Sequence, residues 1–433
     1  MYENFSKFIE GISNFMYSYL LIILLLAVGL YFTFRTKFVQ MRLLKESIRL
    51  VTEKKGDKNA VSPFEALMVS TASRVGTGNI VGVANAIAIG GYGAVFWMWV
   101  IAIVGGASAF IESTLAQIYK KRDKDGGSYG GPAYYIEAAL KRRWPGVVFA
   151  VALIATYAIG FNMLCSYNLI TSLSEYSFYG VGTSYIVMAL ITMVINFDML
   201  PMVFENIFRS AFDFRAIFGG FAGSALMQGI KRGLYSNEAG VGSAPNAAAT
   251  ADVSHPVKQG LVQMLSVFID KILVCTATAM MCLSSGITPS EELTGAPFVQ
   301  TALSATFGDI GYYFVTIALL LFAFTTLLGN LFYCEGCLNY IANRPVSKTT
   351  LNIFRILASL VVFVGALLDF GLVWNLADVL MGFMALIHLP VIVILGKVAI
   401  AALDDYCKQR KEGMDPVFKA STVGLKGKTD FWN

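Results

Sequence analysis

The 433-residue sequence contains few charged residues, few histidines and no cysteine pattern typical of a disulfide framework. Charged residues make up 14% of the chain, and the two histidines, His255 and His388, are too few and too far apart in the sequence for a multi-histidine metal site. Five of the six cysteines lie in or beside apolar segments, which favours small buried hydrophobes over disulfides. Cys334 and Cys337 form a single CxxC that no second pair accompanies. The composition therefore disfavours metal and redox chemistry.

Long apolar runs are what the sequence has in abundance. Hydrophobic residues make up 56% of the chain, and a run of about 20 apolar residues is long enough to cross a bilayer as a helix. We therefore predict an all-α polytopic membrane protein with about ten transmembrane helices. The predicted spans are 15–34, 64–89, 94–119, 147–174, 184–200, 217–231, 259–284, 310–333, 352–369 and 372–402.

The distribution of lysine and arginine predicts how these spans are oriented. Basic residues are concentrated in 34–60 and 120–143, whereas 285–309 has none. Because basic loops tend to remain in the cytoplasm, we expect the amino terminus outside and the tail beyond Lys408 inside. Basic loops also explain the net charge of +5, so no nucleic-acid partner is implied.

One region does not fit an alternating arrangement of spans. The segment 174–183 has no basic residue and should lie outside, whereas 231–258 contains lysine and arginine and should lie inside. The two predicted spans between them, 184–200 and 217–231, would return the chain to the same side. Either one of these runs does not cross the membrane, or a helix is absent.

The predicted span 64–89 is interrupted by Gly76-Thr77-Gly78-Asn79. A glycine-rich interruption frees backbone N–H and C=O groups at bilayer depth, where hydrocarbon cannot satisfy them. The interruption must therefore line a protein cavity that holds water, an ion or a substrate. The alternative is that the glycines only allow close packing of helices, but packing does not require the adjacent Asn79. The pattern therefore predicts transport.

Several blocks of the sequence, in a fixed order, carry a family resemblance. They include SPFEALMVSTASRVGTGNIVGVANAIAIGG (62–91), GGYGAVFWMWVIAIVG (90–105), GLYSNEAGVGSAPNAAA (233–249), FAFTTLLGNLFYCE (322–335) and VWNLADVLMGFMAL (373–386). Together they resemble the alanine or glycine:cation symporter family over nearly the whole chain. The resemblance implies a LeuT-type fold, in which two inverted five-helix repeats enclose a sodium-coupled amino acid site at mid-membrane.

The resemblance also implies a single transporter domain over 1–433. Its implied parts are a leading helix at 15–34, a first repeat at 62–200, a second repeat at 217–402 and a cytoplasmic tail at 403–433. The first repeat is one helix shorter than is usual in the family. A missing helix would account for the mismatch of membrane sides between 174–183 and 231–258.

A substrate site built on unwound helix segments follows from the resemblance. In the first helix, the backbone around Gly78 would bind the carboxylate and ammonium groups of an amino acid, with help from Thr77 and Asn79. A second unwound point would lie in the sixth repeat helix. The implied substrate-binding residues are Thr77, Gly78, Asn79, Phe161, Cys165, Gly219, Gly220, Phe221, Thr326 and Asn330.

Sodium is the implied co-transported ion, and no organic cofactor is implied. By analogy with the second sodium site of LeuT-type transporters, the carbonyls of Ala72 and Val75 would face the hydroxyls of Thr325 and Thr326. The alternative is that both threonines donate to carbonyls of their own helix. No carboxylate is evident in this set, which makes coupling to protons less favoured than coupling to sodium.

Two further polar features require partners. Arg74 lies in an apolar span, where a bare charge is costly, and Glu112, Glu238 and Asp270 are the candidate partners. The polar segment 236–240 is predicted at the cytoplasmic end of a span, either as part of an inner gate or as a solvated loop.

We therefore expect sodium-coupled symport of a small neutral amino acid, alanine or glycine by family default, by alternating access in a plasma or inner membrane. The expected partners are the amino acid, sodium and the lipid bilayer, and the expected state is a monomer. Cys165 and Asn330 replace a glutamine and a tryptophan that are usual in the family, so a larger neutral amino acid is one alternative. A truncated, non-transporting homologue is another. An enzyme is disfavoured, since the spans contain no paired aspartates, Ser/Lys dyad or His/Glu metal set.

Overall fold

The computed structural model describes residues 2–53, 60–123, 126–173, 199–212, 225–290, 292–425 and 429–432. Most of the described chain is helical, and two short strands, β1 (Lys121–Arg122) and β2 (Ser128–Tyr129), pair as an antiparallel ribbon. In chain order, the helices are α1 (Tyr2–Arg35), α2 (Val39–Arg42), α3 (Leu44–Val51), α4 (Pro63–Arg74), α5 (Gly78–Gly90), α6 (Gly93–Ile118), α7 (Pro132–Leu140), α8 (Arg143–Ser172), α9 (Leu200–Ala211), α10 (Ala225–Asn237), α11 (Ala244–Ala248), α12 (Pro256–Ser284), α13 (Gly295–Phe307), α14 (Asp309–Ala342), α15 (Lys348–Gly365) and α16 (Phe370–Lys411).

Among the described residues, seven helices are long and apolar enough to cross a membrane, namely α1, α6, α8, α12, α14, α15 and α16. Each coincides with one of the spans predicted from the sequence. The prediction of an all-α polytopic membrane protein is therefore confirmed. The predicted span 64–89 becomes two shorter helices, α4 and α5, and the predicted span 184–200 falls almost entirely outside the described residues.

The predicted span 217–231 is wrong in its bounds. Its described part is the first half of α10, which continues past Lys231 and Arg232 to Asn237 without a loop. After an interruption, the chain continues as α11 and reaches Ala251. Lys231 and Arg232 are buried in the helix, so they do not belong to the internal loop that their charge predicted.

The start of α4 is specified by its local sequence. Ser62 accepts a hydrogen bond on Oγ from the Glu65 amide (3.1 Å), and the Glu65 carboxylate accepts one from the Ser62 amide (2.7 Å). Pro63 occupies the first helical position, where its missing N–H costs nothing. This capping box fixes where the first interrupted helix begins.

The two interrupted helices, α4–α5 and α10–α11, run in opposite directions through the bundle. At one end, Gly90 at the end of α5 packs against Ala225 at the start of α10. At the other end, Val61 just before α4 pairs with Ala251 just after α11. The middle of each interrupted helix therefore lies at a similar depth in the bundle.

We call the end that contains Val61 and Ala251 the basic end. Lys120, directly after α6, donates from Nζ to the Ala251 carbonyl oxygen (2.9 Å). Glu53, just after α3, accepts from Nζ of Lys258 near the start of α12 (2.6 Å). The short helices α2 and α3 and the β ribbon therefore lie at this end.

The chain beyond α16 folds back over the basic end. Trp432 donates from Nε1 to the carbonyl oxygen of Gln117 in α6 (2.7 Å), and Nζ of Lys120 lies 5.1 Å from the centre of the Trp432 ring. The Phe418 amide donates to the Ser254 carbonyl oxygen (2.9 Å). This tail therefore contacts both α6 and the connection that follows the second interrupted helix.

Candidate functional site

The first interrupted helix breaks at Val75, between α4 and α5. Val75 has a ψ of 82°, and the Gly76 amide donates to the Arg74 carbonyl (2.9 Å) instead of to a carbonyl one helical turn earlier. At the start of α5, the Asn79 amide donates to the Gly76 carbonyl oxygen within the break (3.1 Å), so the first turn of α5 does not continue the hydrogen bonds of α4. This turn lies at the positive end of the α5 dipole, which favours an anionic group such as a carboxylate. The interruption predicted from the sequence is present.

Two neighbouring helices approach this break closely. A Cβ built on Gly76 would lie 2.3 Å from Oγ1 of Thr326 in α14, and a Cβ built on Gly78 would lie 2.5 Å from Cε1 of Tyr235 in α10. Neither position has room for a side chain. The two glycines therefore allow α14 and α10 to cover the exposed backbone of the break.

Asn79 connects the break to a carboxylate. Its amide nitrogen Nδ2 donates to Oδ1 of Asp270 in α12 (2.6 Å), and its Oδ1 accepts from the Gly76 amide (3.2 Å). The other Asp270 oxygen, Oδ2, accepts from Oγ of Ser236 in α10 (2.7 Å). The expectation that no carboxylate belongs to this site is therefore wrong, because Asp270 joins the two interrupted helices.

Arg74 has neutral partners. Its guanidinium nitrogens donate to Oγ of Ser266 (2.7 Å) and Oε1 of Gln263 (3.0 Å), both in α12. No carboxylate of the described residues lies within ion-pairing distance of this guanidinium, although Glu112, Glu238 and Asp270 were the predicted partners. Hydrogen bonds from two polar side chains of α12 reduce the cost of burying the charge.

Helix α8 supplies a third wall of the site. Thr77 accepts on Oγ1 from Nδ2 of Asn168 (3.0 Å) and lies 3.8 Å from Sγ of Cys165, measured from the same Oγ1. The rings of Phe161 and Tyr235 meet with centres 4.8 Å apart. Thr77, Cys165, Phe161 and Tyr235 line a hollow of about 10 Å³, which is room for about one water molecule.

The two threonines of α14 have different surroundings. Thr326 donates from Oγ1 toward the Ala72 carbonyl oxygen of α4 (3.4 Å) and lines the hollow. Thr325 is exposed on the other face of α14, and its hydroxyl is 3.1 Å from the carbonyl oxygens of Leu321 and Phe322 in its own helix. Thr326 therefore fits the predicted placement, whereas Thr325 follows the alternative in which the hydroxyl bonds back to its own helix.

Asn330 lies one helical turn beyond Thr326, behind the hollow. It accepts on Oδ1 from Oγ of Ser73 (2.9 Å) and donates from Nδ2 to Oδ1 of Asn162 (2.9 Å). Its amide thus connects α14 to α4 and α8. In the described conformation, this side chain supports the wall of the hollow.

Gly219, Gly220 and Phe221, predicted as the unwound point of the sixth repeat helix, lie outside the described residues. An interruption of the predicted kind lies further along the chain, at 238–243 between α10 and α11. Its presence was missed because the segment 236–240 was predicted at a cytoplasmic end.

The second interruption is built from residues with left-handed backbone conformations. Glu238, Gly240 and Gly242 have φ values of 51°, 84° and 96°, which an α-helix cannot contain. The segment is buried, so the solvated loop, one of the two alternatives that the sequence left open, is wrong. Glu238 and Tyr235 line the same small hollow as Gly76, and the two interruptions therefore adjoin.

Side chains from other helices hold the second interruption. Glu112 of α6 accepts on Oε1 from the Gly240 amide (3.2 Å), and Nδ1 of His388 in α16 lies 2.8 Å from the Gly240 carbonyl oxygen. Glu238 accepts on Oε2 from Oγ of Ser243 at the far side of the turn (2.5 Å). The backbone groups freed by this interruption are therefore largely satisfied by the protein itself.

A buried ion cluster lies in α10 just before the second interruption. Asp378 of α16 pairs with Nζ of Lys231 (2.9 Å) and with Nη1 of Arg232 (3.1 Å). The Arg232 guanidinium also lies 4.2 Å from the centre of the Trp374 ring. The Asp378 carboxylate therefore compensates the charges of Lys231 and Arg232, which the sequence had assigned to an internal loop.

Comparison with known proteins identifies the family. The sodium:alanine symporter family matches residues 2–182 and 169–420. The chain is 43% identical to the probable sodium/glutamine symporter of Bacillus subtilis over 460 residues, which cover 98% of this chain and 95% of the relative. It is also 43% identical to an amino-acid carrier protein of Bacillus subtilis, over 98% of this chain and 97% of the relative.

A more distant relative is the sodium/alanine symporter of Methanococcus maripaludis, which is 34% identical over 94% of this chain and 98% of the relative. The 460-residue alignment is longer than the 433-residue chain, so the first Bacillus subtilis relative contains residues that this chain lacks. The two family matches overlap at 169–182, next to the end of α8, where the sequence predicted a missing helix. With a family match along nearly its whole length and seven apolar helices, the chain belongs to the sodium:alanine symporter family of multi-pass membrane transporters.

Proposed function

We propose that the chain couples the inward movement of sodium to the uptake of a small neutral amino acid by alternating access. The observation that carries the proposal is the meeting of two antiparallel interrupted helices at one buried polar hollow. Such half-helices bind anionic groups at their positive ends and cations at freed carbonyls in transporters. The antiparallel pair also supports an inverted-repeat, LeuT-type architecture.

The amino acid would bind at the first interruption. Its carboxylate would accept hydrogen bonds from the amides at the start of α5, near Thr77 and Gly78, where the helix dipole is positive. The hydroxyl of Thr77 would orient it. Since the hollow of about 10 Å³ is too small for any amino acid, Phe161 and Tyr235 must separate during the transport cycle.

Two groups of oxygen atoms are suited to sodium, which prefers hard ligands. The first comprises the Ala72 carbonyl and the Thr326 hydroxyl, which are 3.4 Å apart. The second comprises the Asp270 carboxylate with Asn79 and Ser236, within hydrogen-bonding distance of it. We propose the first group as a sodium site without Thr325, and the second as a further candidate.

Alanine or glycine is the preferred substrate, because Gly76 and Gly78 are covered at contact distance and leave little volume. A neutral amino acid with a longer side chain is the second candidate. It is favoured by Cys165, which borders the hollow and is shorter than the glutamine usual in the family.

We propose that the basic end faces the cytoplasm, as the positive-inside rule requires, that the amino terminus lies outside, and that the chain works as a monomer in the plasma or inner membrane. The exposed residue Thr288 would then be outside. Labelling of an introduced cysteine, Thr288→Cys, by an impermeant reagent in intact cells checks the orientation.

Uptake into proteoliposomes tests the function. We expect the purified chain to accumulate labelled alanine or glycine when a sodium gradient is imposed, and not with an equal potassium gradient. A panel that includes glutamine decides between the two substrate candidates. Absence of sodium-driven uptake for every neutral amino acid would overturn the proposal and favour a non-transporting homologue.

A further inference from the structure

A buried acid and a buried imidazole lie together at the second interruption, away from the proposed substrate contacts. Glu112 of α6 and His388 of α16 are fully buried, and their nearest atoms, Oε2 and Nδ1, are 3.6 Å apart. Both residues contact the backbone of Gly240. A titratable residue inside a membrane protein is costly and is commonly functional.

The contacts of His388 indicate which of its ring nitrogens carries a proton. Because a carbonyl oxygen can only accept, the contact of His388 Nδ1 with the Gly240 carbonyl (2.8 Å) requires a proton on Nδ1. The other ring nitrogen, Nε2, then accepts from the hydroxyl of Tyr135 in α7. With Tyr135 as the donor, the imidazole is neutral and has a partner at each nitrogen.

The two carboxylate oxygens of Glu112 differ in their hydrogen bonding. Oε1 accepts from the Gly240 amide (3.2 Å) and the Gly242 backbone also acts on the carboxylate, whereas Oε2 is buried without a hydrogen bond of normal geometry among the described residues. A buried carboxylate oxygen without a donor is unfavourable. This oxygen faces Nδ1 of His388 and is the position at which an added proton would gain a partner.

The other elements around the pair offer no competing ion-pair partner among the residues that the structure describes. Arg74 of α4 and Glu238 of the interruption act on Glu112 through their electrostatic fields. Arg74 donates to Ser266 and Gln263. Helix α8 contributes the uncharged Phe149, whose ring centre is 5.6 Å from that of His388.

We propose that Glu112 and His388 together bind one proton, and that this proton releases the Gly240 carbonyl from His388. The imidazole relays the proton: Nδ1 gives its own proton to Oε2 of Glu112, and Nε2 takes the hydroxyl proton of Tyr135, whose oxygen receives the added proton and then accepts from Nε2–H. Nδ1, now without a proton, accepts from the protonated carboxyl. The net change is one bound proton.

Release of Gly240 would loosen the hinge between α10 and α11. The inference rests on the proposed function only in its consequence, because it makes the rate of transport depend on pH. The binding of the proton itself does not depend on which amino acid is carried, or on whether any is carried.

The pH profile of sodium-driven uptake is the first test. Because the bound proton loosens the hinge, we expect the wild-type rate to rise as pH falls, with a slope of up to about tenfold per pH unit, the limit for one proton. Glu112→Gln retains an oxygen for the Gly240 amide but cannot titrate, so its profile should be flat. Glu137→Gln, in which a carboxylate bonded to Tyr340 is replaced, is the matched control and should retain the wild-type profile.

Nitrogen NMR of ¹⁵N-histidine-labelled protein is a second test that needs no transport. The chain has only two histidines, and His388→Gln assigns their signals. We expect the His388 signals to exchange the Nδ1-protonated for the Nε2-protonated pattern as pH falls, and to stop doing so in Glu112→Gln. Unchanged His388 signals over the whole range, or a wild-type pH profile in Glu112→Gln, would show that the pair is only a hydrogen-bonded part of the core.

Failure of the proposed function gives a different result. If no amino acid is taken up by the wild type, the uptake profile cannot be measured, but the His388 signals still report whether the proton binds.

Discussion

The two helix interruptions have the same architecture but different chemistry. At the first, between α4 and α5, the hollow is lined mostly by neutral side chains, together with Arg74 and Glu238, and no preceding helical turn accepts from the amides at the start of α5. At the second, between α10 and α11, Gly240 is held on one side by Glu112 and on the other by His388. The first interruption offers a ligand the positive end of α5, with the Gly76 amide engaged inside the break. At the second, both backbone groups of Gly240 are engaged by titratable side chains of other helices.

This difference suggests that the two interruptions have different roles in transport. Available backbone groups at a positive helix end are suited to binding a substrate. Backbone groups held by titratable side chains are suited to a hinge, whose hold depends on the protonation of those side chains. Asp270 links the two, because it bonds to Asn79 beside the first interruption and to Ser236 before the second.

The largest expected effect is a fall in substrate affinity when Asn79, at the first interruption, is replaced by alanine. Asn79→Ala leaves the Asp270 carboxylate and the Gly76 amide each without one partner. Loss of a hydrogen bond to a charged group costs about 2 kcal/mol, so we expect substrate affinity to fall at least about thirtyfold. Equilibrium binding of labelled substrate in detergent measures it.

The same helix provides the control. Asn85 is buried in α5, and neither atom of its side-chain amide has a hydrogen-bond partner among the described residues. Asn85→Ala should therefore leave the affinity unchanged. Equal losses in both variants would mean that Asn79 acts only through the packing of α5.

A side chain added at Gly242, in the second interruption, should strain the backbone and lower the stability of the protein. Gly242→Ala places a side chain at φ +96°, with its Cβ 2.8 Å from Cζ of Phe149. Gly286→Ala has a similar φ of +79° but no atom within 4 Å, so it measures backbone strain alone, about 1–2 kcal/mol. Thermal unfolding in detergent should show a larger loss for Gly242→Ala. Equal losses would indicate that the second interruption yields easily to a new side chain.

The smallest expected effect is a change in the sodium dependence of uptake, which should occur on replacing Thr326 but not Thr325 in α14. Thr326→Ala removes the hydroxyl that faces the Ala72 carbonyl, and one hydrogen-bonding group is worth about 1 kcal/mol, so the sodium concentration for half-maximal uptake should rise about fivefold. Thr325→Ala removes a hydroxyl that is bonded to its own helix and should leave sodium dependence unaltered. The opposite order of effects would place the sodium site elsewhere.

Much of the fold can be predicted from the sequence, because apolar length alone identifies the seven long helices. The first interruption is also predictable, since two glycines and an asparagine close together disfavour a continuous helix within an apolar run. It is harder to predict from the sequence which of Thr325 and Thr326 faces α4. Adjacent residues on a helix point about 100° apart, so only one can face α4, and the sequence does not indicate which.

The second interrupted helix could not be recognised in the same way. Lys231 and Arg232 indicate a loop, and their compensating Asp378 is about 150 positions away in the sequence, where no local pattern connects them. Glu238 and Gly240 likewise have the composition of a solvated turn. The partners that hold Gly240, Glu112 and His388, come from two other helices.

The tail that carries Trp432 has a practical consequence for handling this protein. Its indole is bonded to Gln117 and packed beside Lys120, so a fluorescent protein or purification tag joined directly behind it would have to be accommodated against the end of α6. A reporter should therefore be joined through a spacer that leaves the contacts of Trp432 in place.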